Sequence, residues 1–236
     1  MEFFYNYIWE KGFRDNNEDS LCIRQVVCNN RTYLLAVVCD GIGGLPQGET
    51  ASSYVAGSML ESFQKMVKRN RNMPLYKMRN QFCRQIYRCH RVLQKYGQKE
   101  EIELGTTLSM LVISDRRGIW FHIGDSALFC GKKRLRRKTI NHSSEKGALT
   151  QAVGNGRNPK PQTGILRIHR NWVYVLASDG FYRKYEEKLC DREWISGIVC
   201  DEKKIGEWLI HTKEKVQRLG ERDNISAVCI RVSGKR

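Results

Sequence analysis

The apolar runs of this chain are separated, for the most part, by very few residues, and that limits what they can build. SLCIRQVVC (20–28) and TYLLAVVC (32–39) meet around Asn29-Asn30-Arg31. TTLSMLVIS (106–114) turns through Asp115-Arg116-Arg117-Gly118 into 119–124, and 126–130 continues as a further strand. Residues 163–169 and 172–178 read as a hairpin through Arg170-Asn171, 225–232 as a last strand, and 3–8 as an edge strand. Strands joined by such short turns pair antiparallel, because a parallel pair needs a crossover of about a dozen residues or more. Between and after them lie segments of helical periodicity. In 49–69, Ala51, Val55, Met59, Phe63 and Met66 share a face. Pro74 separates this helix from one at 75–96, and two more follow at about 186–199 and 202–219. Helices grouped in pairs around antiparallel strands predict an α+β fold, a four-layer α-β-β-α sandwich of two antiparallel sheets flanked by helix pairs. With 236 residues, 41% of them hydrophobic, the chain suits one domain spanning 1–236.

Several classes are disfavoured. No apolar run reaches membrane-spanning length, and residues 1–13 lack the pattern of a signal peptide. The nine cysteines (22, 28, 39, 83, 89, 130, 190, 200 and 229) are odd in number and show no C-x-x-C pair. They read as reduced, mostly buried thiols of a cytoplasmic protein. The net charge of +16 gathers at 65–71, 79–95 and 132–138. Such runs are either solvated faces or attract acidic partners. No helix-turn-helix, zinc-finger or RNP pattern accompanies them, so nucleic acid is not the expected partner.

Three strands stop in the same way. YLLAVVCDG, IWFHIGDS and VYVLASDG deliver Asp40, Asp125 and Asp179 as their apolar runs end. Any one of these alone is ordinary turn chemistry. Two segments do the reverse: Glu18 and Asp19 precede a strand, and Asp223 precedes the last one. Antiparallel pairing sets one strand's end beside its neighbour's start, so these six carboxylates could share an edge. Such a cluster repels itself unless cations neutralise it. Oxygen ligands without histidine or thiol suit Mg²⁺ or Mn²⁺. Small residues after Asp40 let backbone approach an ion, and the Gly41 carbonyl could itself be a ligand. Gly43 and Gly44 let the chain turn away closely. Arg14, four residues before Glu18, supplies the planar fork that suits phosphate oxygens.

At this point the chain resembles the metal-dependent serine/threonine protein phosphatases of the protein phosphatase 2C type, in their short bacterial form. The blocks run nearly end to end: GFRDNNEDS, VVCDGIGGLPQGETAS, LGTTLSMLVI, FHIGDSALF, ALTQAVG, VLASDGF and ERDNISAVCIRV. The resemblance implies the same sandwich, with two or three Mn²⁺ or Mg²⁺ ions. It makes Asp40 the carboxylate bridging two ions and Gly41 a ligand through its carbonyl. Asp179 and Asp223 complete the centre, Glu18 acts directly or through water, and Asp125 serves a third, weaker site. Asp19 is implied as a partner behind the ligands, and Arg14 as the phosphate-binding residue. The implied reaction is direct in-line attack on phosphorus by a water or hydroxide bridging two ions. Its substrates are phosphoserine and phosphothreonine on proteins, and its implied partners include a serine/threonine kinase and that kinase's targets. A monomer is expected.

The chain departs from the family pattern at four points. Ile42 stands where some members carry a proton-donating histidine. Ala127 stands where an arginine is usual. The segment TINHSSEKG (139–147) is short for the flap before ALTQAVG, which would leave the site more open. NGRNPKP (155–161) is basic and has no assigned place. Three rival readings stand beside the enzyme. A binding module of the same fold would need lost ligands, yet none is missing. A cysteine phosphatase could be read from CGKKRLR (130–136), which fits C-x5-R but lacks small residues to cradle phosphate. A binder of nucleic acid or lipid surfaces would rest on charge alone. His122, inside a strand, reads as a packing residue.

Overall fold

In the computed structural model, which describes residues 1–42, 47–69, 73–145, 147–190 and 201–233, the strand at Arg31–Asp40 shows how the layers arise. Tyr33 through Cys39 are all buried. Tyr33, Leu35, Val37 and Cys39 face one hydrophobic layer, while Leu34, Ala36 and Val38 face another. A strand covered on both faces loses the apolar–polar alternation and becomes a continuous apolar run.

In chain order the strands are β1 (Phe3–Glu10), β2 (Asp19–Cys28), β3 (Arg31–Asp40), β4 (Leu108–Ser114), β5 (Arg117–Ile123), β6 (Ala127–Gly131), β7 (Arg136–Arg137), β8 (Gln162–Arg167), β9 (Val173–Ala177) and β10 (Ile225–Val232). They form two five-stranded sheets, β1-β10-β9-β6-β7 and β2-β3-β4-β5-β8, with every pair antiparallel. The helices are α1 (Gly48–Arg69), α2 (Leu75–Glu100), the short α3 (Asp179–Tyr182) and α4 (Glu186–Leu189), and α5 (Glu202–Arg218). Helices α1 and α2 pack on the β2–β8 sheet through Met59, Phe63, Phe82 and Ile86. Helices α3 and α5 pack on the other sheet through Phe181, Ile205 and Leu209. The inner faces of the sheets meet in a third layer containing Leu34, Leu111, Tyr174, Leu176 and Ile230. The four-layer α+β sandwich is the observed architecture.

Three expectations change in detail. Residues 163–169 and 172–178 are not a hairpin: β8 pairs with β5 in one sheet, and β9 with β6 and β10 in the other. Asn171, at φ 61°, turns the chain between sheets, and its N–H donates to the carbonyl of Val232 at 3.0 Å. A tight turn has the same local chemistry in both cases, but β8 is a half-exposed edge and β9 is fully buried. The second helix runs on past Gly97 to Glu100, ending at Glu101 in the left-handed region. Gly97 stays helical because it packs closely there: a Cβ would meet the Ile102 carbonyl oxygen at 2.6 Å. The expected helix at 186–199 is helical at Glu186–Leu189, and its continuation from 191 lies outside the described residues, as do Gly43, Gly44 and Cys200. Among the described residues no helix is long and apolar enough to cross a membrane.

Candidate active site

The acids converge at one end of the sandwich, and they come from both sheets rather than from one sheet edge. In the first sheet, Asp19 at the start of β2 lies directly opposite Asp40 at the end of β3. In the second, β9 ends one residue before Ser178-Asp179, and Asp223-Asn224 lead into β10. Asp125 lies on the passage between β5 and β6, the point where the chain changes sheet.

The backbone at Asp40 is fixed from two sides. Its N–H donates to Thr107 Oγ1 at 2.9 Å, and its carbonyl accepts from Thr107 N–H at 2.8 Å and from Thr106 Oγ1 at 2.8 Å. Gly41 N–H donates to the Glu18 carbonyl at 3.1 Å. A Cβ on Gly41 would stand 2.6 Å from the Gly48 backbone and 2.8 Å from the Glu18 carbonyl oxygen. Glycine is required here because three stretches of main chain meet, so that Glu18, Asp40 and the start of α1 are drawn together.

Asn224 ties the sheets at this end. Its side-chain amide donates to the carbonyls of Lys11 at 2.7 Å and Asn16 at 2.9 Å, and its Oδ1 accepts from Glu18 N–H at 2.8 Å. The Arg14 loop and Glu18, which enter the first sheet, are thereby held to the start of β10 in the second. The carbonyl of Asp125 is likewise gripped, by Tyr182 Oη at 2.5 Å and Arg137 Nη2 at 3.4 Å.

These elements enclose a cleft of about 740 Å³ lined by Glu18, Asp40, Gly41, Asp125, Asp179 and Asp223, with Arg14 and Arg183. Seven of the eight expected site residues therefore line one cavity. Asp19 does not: it is buried behind Asp40. It faces the Ser178 and Ser226 hydroxyls and Asp40, but neither carboxylate oxygen has a hydrogen bond of ordinary geometry. Ile42 lines the wall as well. So do Gly147, the last residue of the shortened flap, and Ala148 to Ala152 of the ALTQAVG block, and the basic segment finds its place through Asn155 and Gly156.

Burial, with crowding second, makes several of these acids hold their protons more tightly than a free carboxyl does. Burial, then the charges of Asp19 and Asp179, pushes Asp40 well above the usual carboxylate range. Burial pushes Asp19 up to about 7. It also raises Asp179 to about 7, against the opposing pull of Arg183. Glu18 is raised by burial and by Glu49, and Asp125 by burial.

Two arginines answer part of this charge. Arg14 grips Asp223 with both arms, at 3.0 and 2.9 Å. Arg183, four residues after Asp179, bonds its Oδ2 at 2.5 Å and reaches Glu221 at 3.5 Å. Among the described residues, no group of three or more His, Cys, Asp or Glu side chains is placed to hold a metal ion. The donor set nonetheless fits hard divalent cations: every charged donor is an oxygen, the acids are crowded, and the Asp19 carboxylate lacks a partner. A cation held by Asp223 or Asp179 would take the place that Arg14 and Arg183 now occupy.

Arg183, Thr107 and Asn224 were not singled out from the sequence. Thr107 and Asn224 lie inside quoted blocks, adjacent to Thr106 and Asp223, and could have been found there. Arg183 carries no signal until the short α3 places it one turn after Asp179.

A model of the family described as protein phosphatase 2C matches residues 14–209. The chain belongs to the protein phosphatase 2C family. It is a short, bacterial-type protein phosphatase. A relative from Streptococcus pneumoniae, the protein phosphatase PhpP, is 23% identical across 71% of this chain and 74% of its own length. In fold, the chain is similar to the serine/threonine phosphatase of S. agalactiae, with a TM-score of 0.81 at 20% identity over 98% of this chain and 100% of that one. Stp1 from Staphylococcus aureus gives 0.83 at 18% identity over 99% and 96%.

Other chemistry is poorly served. Cys130, in the C-x5-R stretch, is a buried strand residue whose thiol burial pushes up to about 11, the opposite of a nucleophilic cysteine. His122 is fully buried, with Nδ1 3.0 Å from Ser109 Oγ, and burial keeps it neutral with a pKa of about 3. It does not line the cleft.

Proposed function

We propose that this phosphatase removes phosphate from phosphoserine and phosphothreonine side chains of proteins, by direct attack of water on phosphorus with two or three Mg²⁺ or Mn²⁺ ions in the acidic cleft. The observation that carries this reading is the gathering of Glu18, Asp40, Asp125, Asp179 and Asp223 from both sheets into one cleft beside Arg14. When bound, such ions lower the pKa of water and neutralise the charge of the phosphoryl group. Asp40, whose backbone is held by Thr106 and Thr107, would hold the ions together with the Gly41 carbonyl. Asp179 and Asp223 would hold them from the other sheet, Glu18 directly or through water, and Asp125 would serve a third. Asp19 backs Asp40 from the interior.

Arg14 is the phosphate clamp. Its side chain is 54% exposed, so it has room to turn from Asp223 toward a bound phosphoryl group. Its fork then takes two equatorial phosphoryl oxygens and stabilises charge as the bond to the leaving oxygen breaks. Ile42 has no proton to give, so the departing alkoxide takes its proton from water. The partners that follow are phosphorylated proteins, a serine/threonine kinase and its targets among them, met in the cytoplasm by a monomeric enzyme. The deciding experiment assays phosphate release from a phosphothreonine peptide with and without Mn²⁺, using Asp179→Asn as control. Metal-dependent release in the wild type, reduced at least about 100-fold in the variant, is expected. Release that persists in chelator, or in Asp179→Asn, would refute the proposal.

A further inference from the structure

Helix α2 carries a feature that the cleft does not use. Between Glu61 and Glu100 the sequence has no aspartate or glutamate, while lysine and arginine recur throughout. At about 100° per residue, Lys77, Arg84, Arg88, Arg91, Lys95 and Lys99 fall within about 40° of a single line along the helix. All six are exposed. The opposite face is the one that packs, through Met78, Phe82, Ile86, Cys89 and Leu93. The stripe is about 33 Å long, from 22 steps of about 1.5 Å.

An ordinary solvated helix face interleaves acids and bases at i, i+4 spacing, where they pair. Here nothing is interleaved. Lys99 pairs with Glu100 at 2.9 Å, but Lys77, Arg84, Arg88, Arg91 and Lys95 make no ion pair among the described residues. Five like charges on one line repel, and Lys77 adds positive charge where the helix dipole is already positive. The fold gains nothing from this row by itself.

The stripe runs to the rim of the catalytic cleft. Gln94 Nε2 donates to the Gly156 carbonyl at 2.8 Å, and Tyr96 Oη donates to Gln47 Oε1 at 2.9 Å. Gly156 lines the cleft, and exposed Arg157 and Lys160 follow it. Basic side chains thus lie along the outer face of α2 and again at Arg157 and Lys160 beside the cleft, with the acids Glu101 and Glu103 near the helix's end.

We propose that the α2 stripe is a docking track for an acidic segment of the phosphoprotein substrate, one rich in aspartate, glutamate or further phosphoresidues and adjoining the residue to be dephosphorylated. About ten extended residues span the stripe. An exposed helix face that carries its charge in one line suits a flexible acidic chain that adapts to it. This proposal takes its substrate class from the phosphatase reading, but binding to the track is measurable without turnover.

The test uses a phosphothreonine peptide with a ten-residue aspartate tail, its asparagine-tailed twin, and p-nitrophenyl phosphate. These are given to the wild type and to two triple variants, Arg84→Glu/Arg88→Glu/Arg91→Glu and Arg84→Gln/Arg88→Gln/Arg91→Gln. At low salt the wild type is expected to favour the acidic tail about tenfold in kcat/KM, with the preference lost at about 0.5 M salt. Both triple variants are expected to lose the preference while hydrolysing p-nitrophenyl phosphate at the wild-type rate. Fluorescence anisotropy of the labelled acidic peptide is expected to show the same ranking in binding. Selective binding without turnover would sink the phosphatase reading and leave the track standing. Turnover with equal affinity for the two tails would overturn the track. So would a preference that survives in both variants, a loss of p-nitrophenyl phosphate hydrolysis in both, or tighter binding to phosphatidylserine vesicles or single-stranded RNA than to the acidic peptide.

Discussion

Asp179 and Asp19 carry protons that an ordinary aspartate would have lost, and this makes their charge state measurable through stability. Both carboxyls titrate near 7 in the metal-free fold, against 3.8 for the free side chain. The folded state therefore holds more protons than the unfolded state between about pH 4 and 7. Where the native state binds more protons, stability falls as pH rises, which reverses the usual behaviour of a paired aspartate. The metal-free protein is expected to melt at progressively lower temperature from about pH 5 to 7.5. With saturating Mn²⁺ the decline should flatten or reverse, and metal uptake near neutral pH should release protons. Scanning calorimetry with and without Mn²⁺ reads the first, and titration in buffers of different ionisation heat reads the second. A metal-free melting temperature that climbs across this window would contradict the burial of these charges. At this scale the acids were legible because each interrupts an apolar run. Arg183 was not: a basic residue after an aspartate means nothing until a helical turn brings the two within 2.5 Å.

Among the elements, the tie at Asn224 matters more to the site's geometry than any single strand. One buried side chain fills three hydrogen-bonding roles across the two sheets. Asn224→Ala leaves the Lys11 and Asn16 carbonyls and the Glu18 N–H to find other partners, at an expected cost of about 2 to 4 kcal/mol. Urea denaturation gives that figure directly. Asn224→Asp keeps the acceptor for Glu18 N–H but sets a carboxylate oxygen against the Lys11 and Asn16 carbonyls, and should cost at least as much as alanine. An alanine variant within about 0.5 kcal/mol of wild type would mean that the tie is incidental. Element boundaries were mostly readable, since α1 and α5 carry helical periodicity and β3 and β10 are apolar runs bounded by clear turn residues. The partner of β9 was not readable. A two-residue turn at Arg170-Asn171 has the same local chemistry whether the chain folds back within a sheet or crosses between sheets. Only the burial of Tyr174 and Leu176 against Leu34 and Leu111 decides it.

At the scale of the whole molecule, the chain changes sheet repeatedly: β1 lies in one, β2 to β5 in the other, β6 and β7 back in the first, β8 in the second, and β9 and β10 in the first. Neither sheet is a continuous length of chain, and we propose that residues 1–236 behave as one domain. Far-UV circular dichroism and tryptophan fluorescence should then report a single coincident unfolding transition in metal-free protein. Two separated transitions would split the unit. The four-layer architecture was legible from the order of strands and helix pairs. The repeated crossing was not, because it depends on contacts between residues far apart in the chain.

That long-range closure also governs when the molecule becomes an enzyme during its synthesis. Phe3 is paired with Val232 and Glu10 with Ile225, so β1 has no strand beside it until β10 has been made. Asp223 comes just before β10, and Asn224 anchors the loop carrying Arg14. A growing chain can assemble the sheet of β2 to β5 and present Asp40, yet it lacks Asp223 and Asn224 until the segment leading into β10 has left the ribosome. On the proposed assignment, phosphatase activity is withheld from any chain in which β10 has not yet formed.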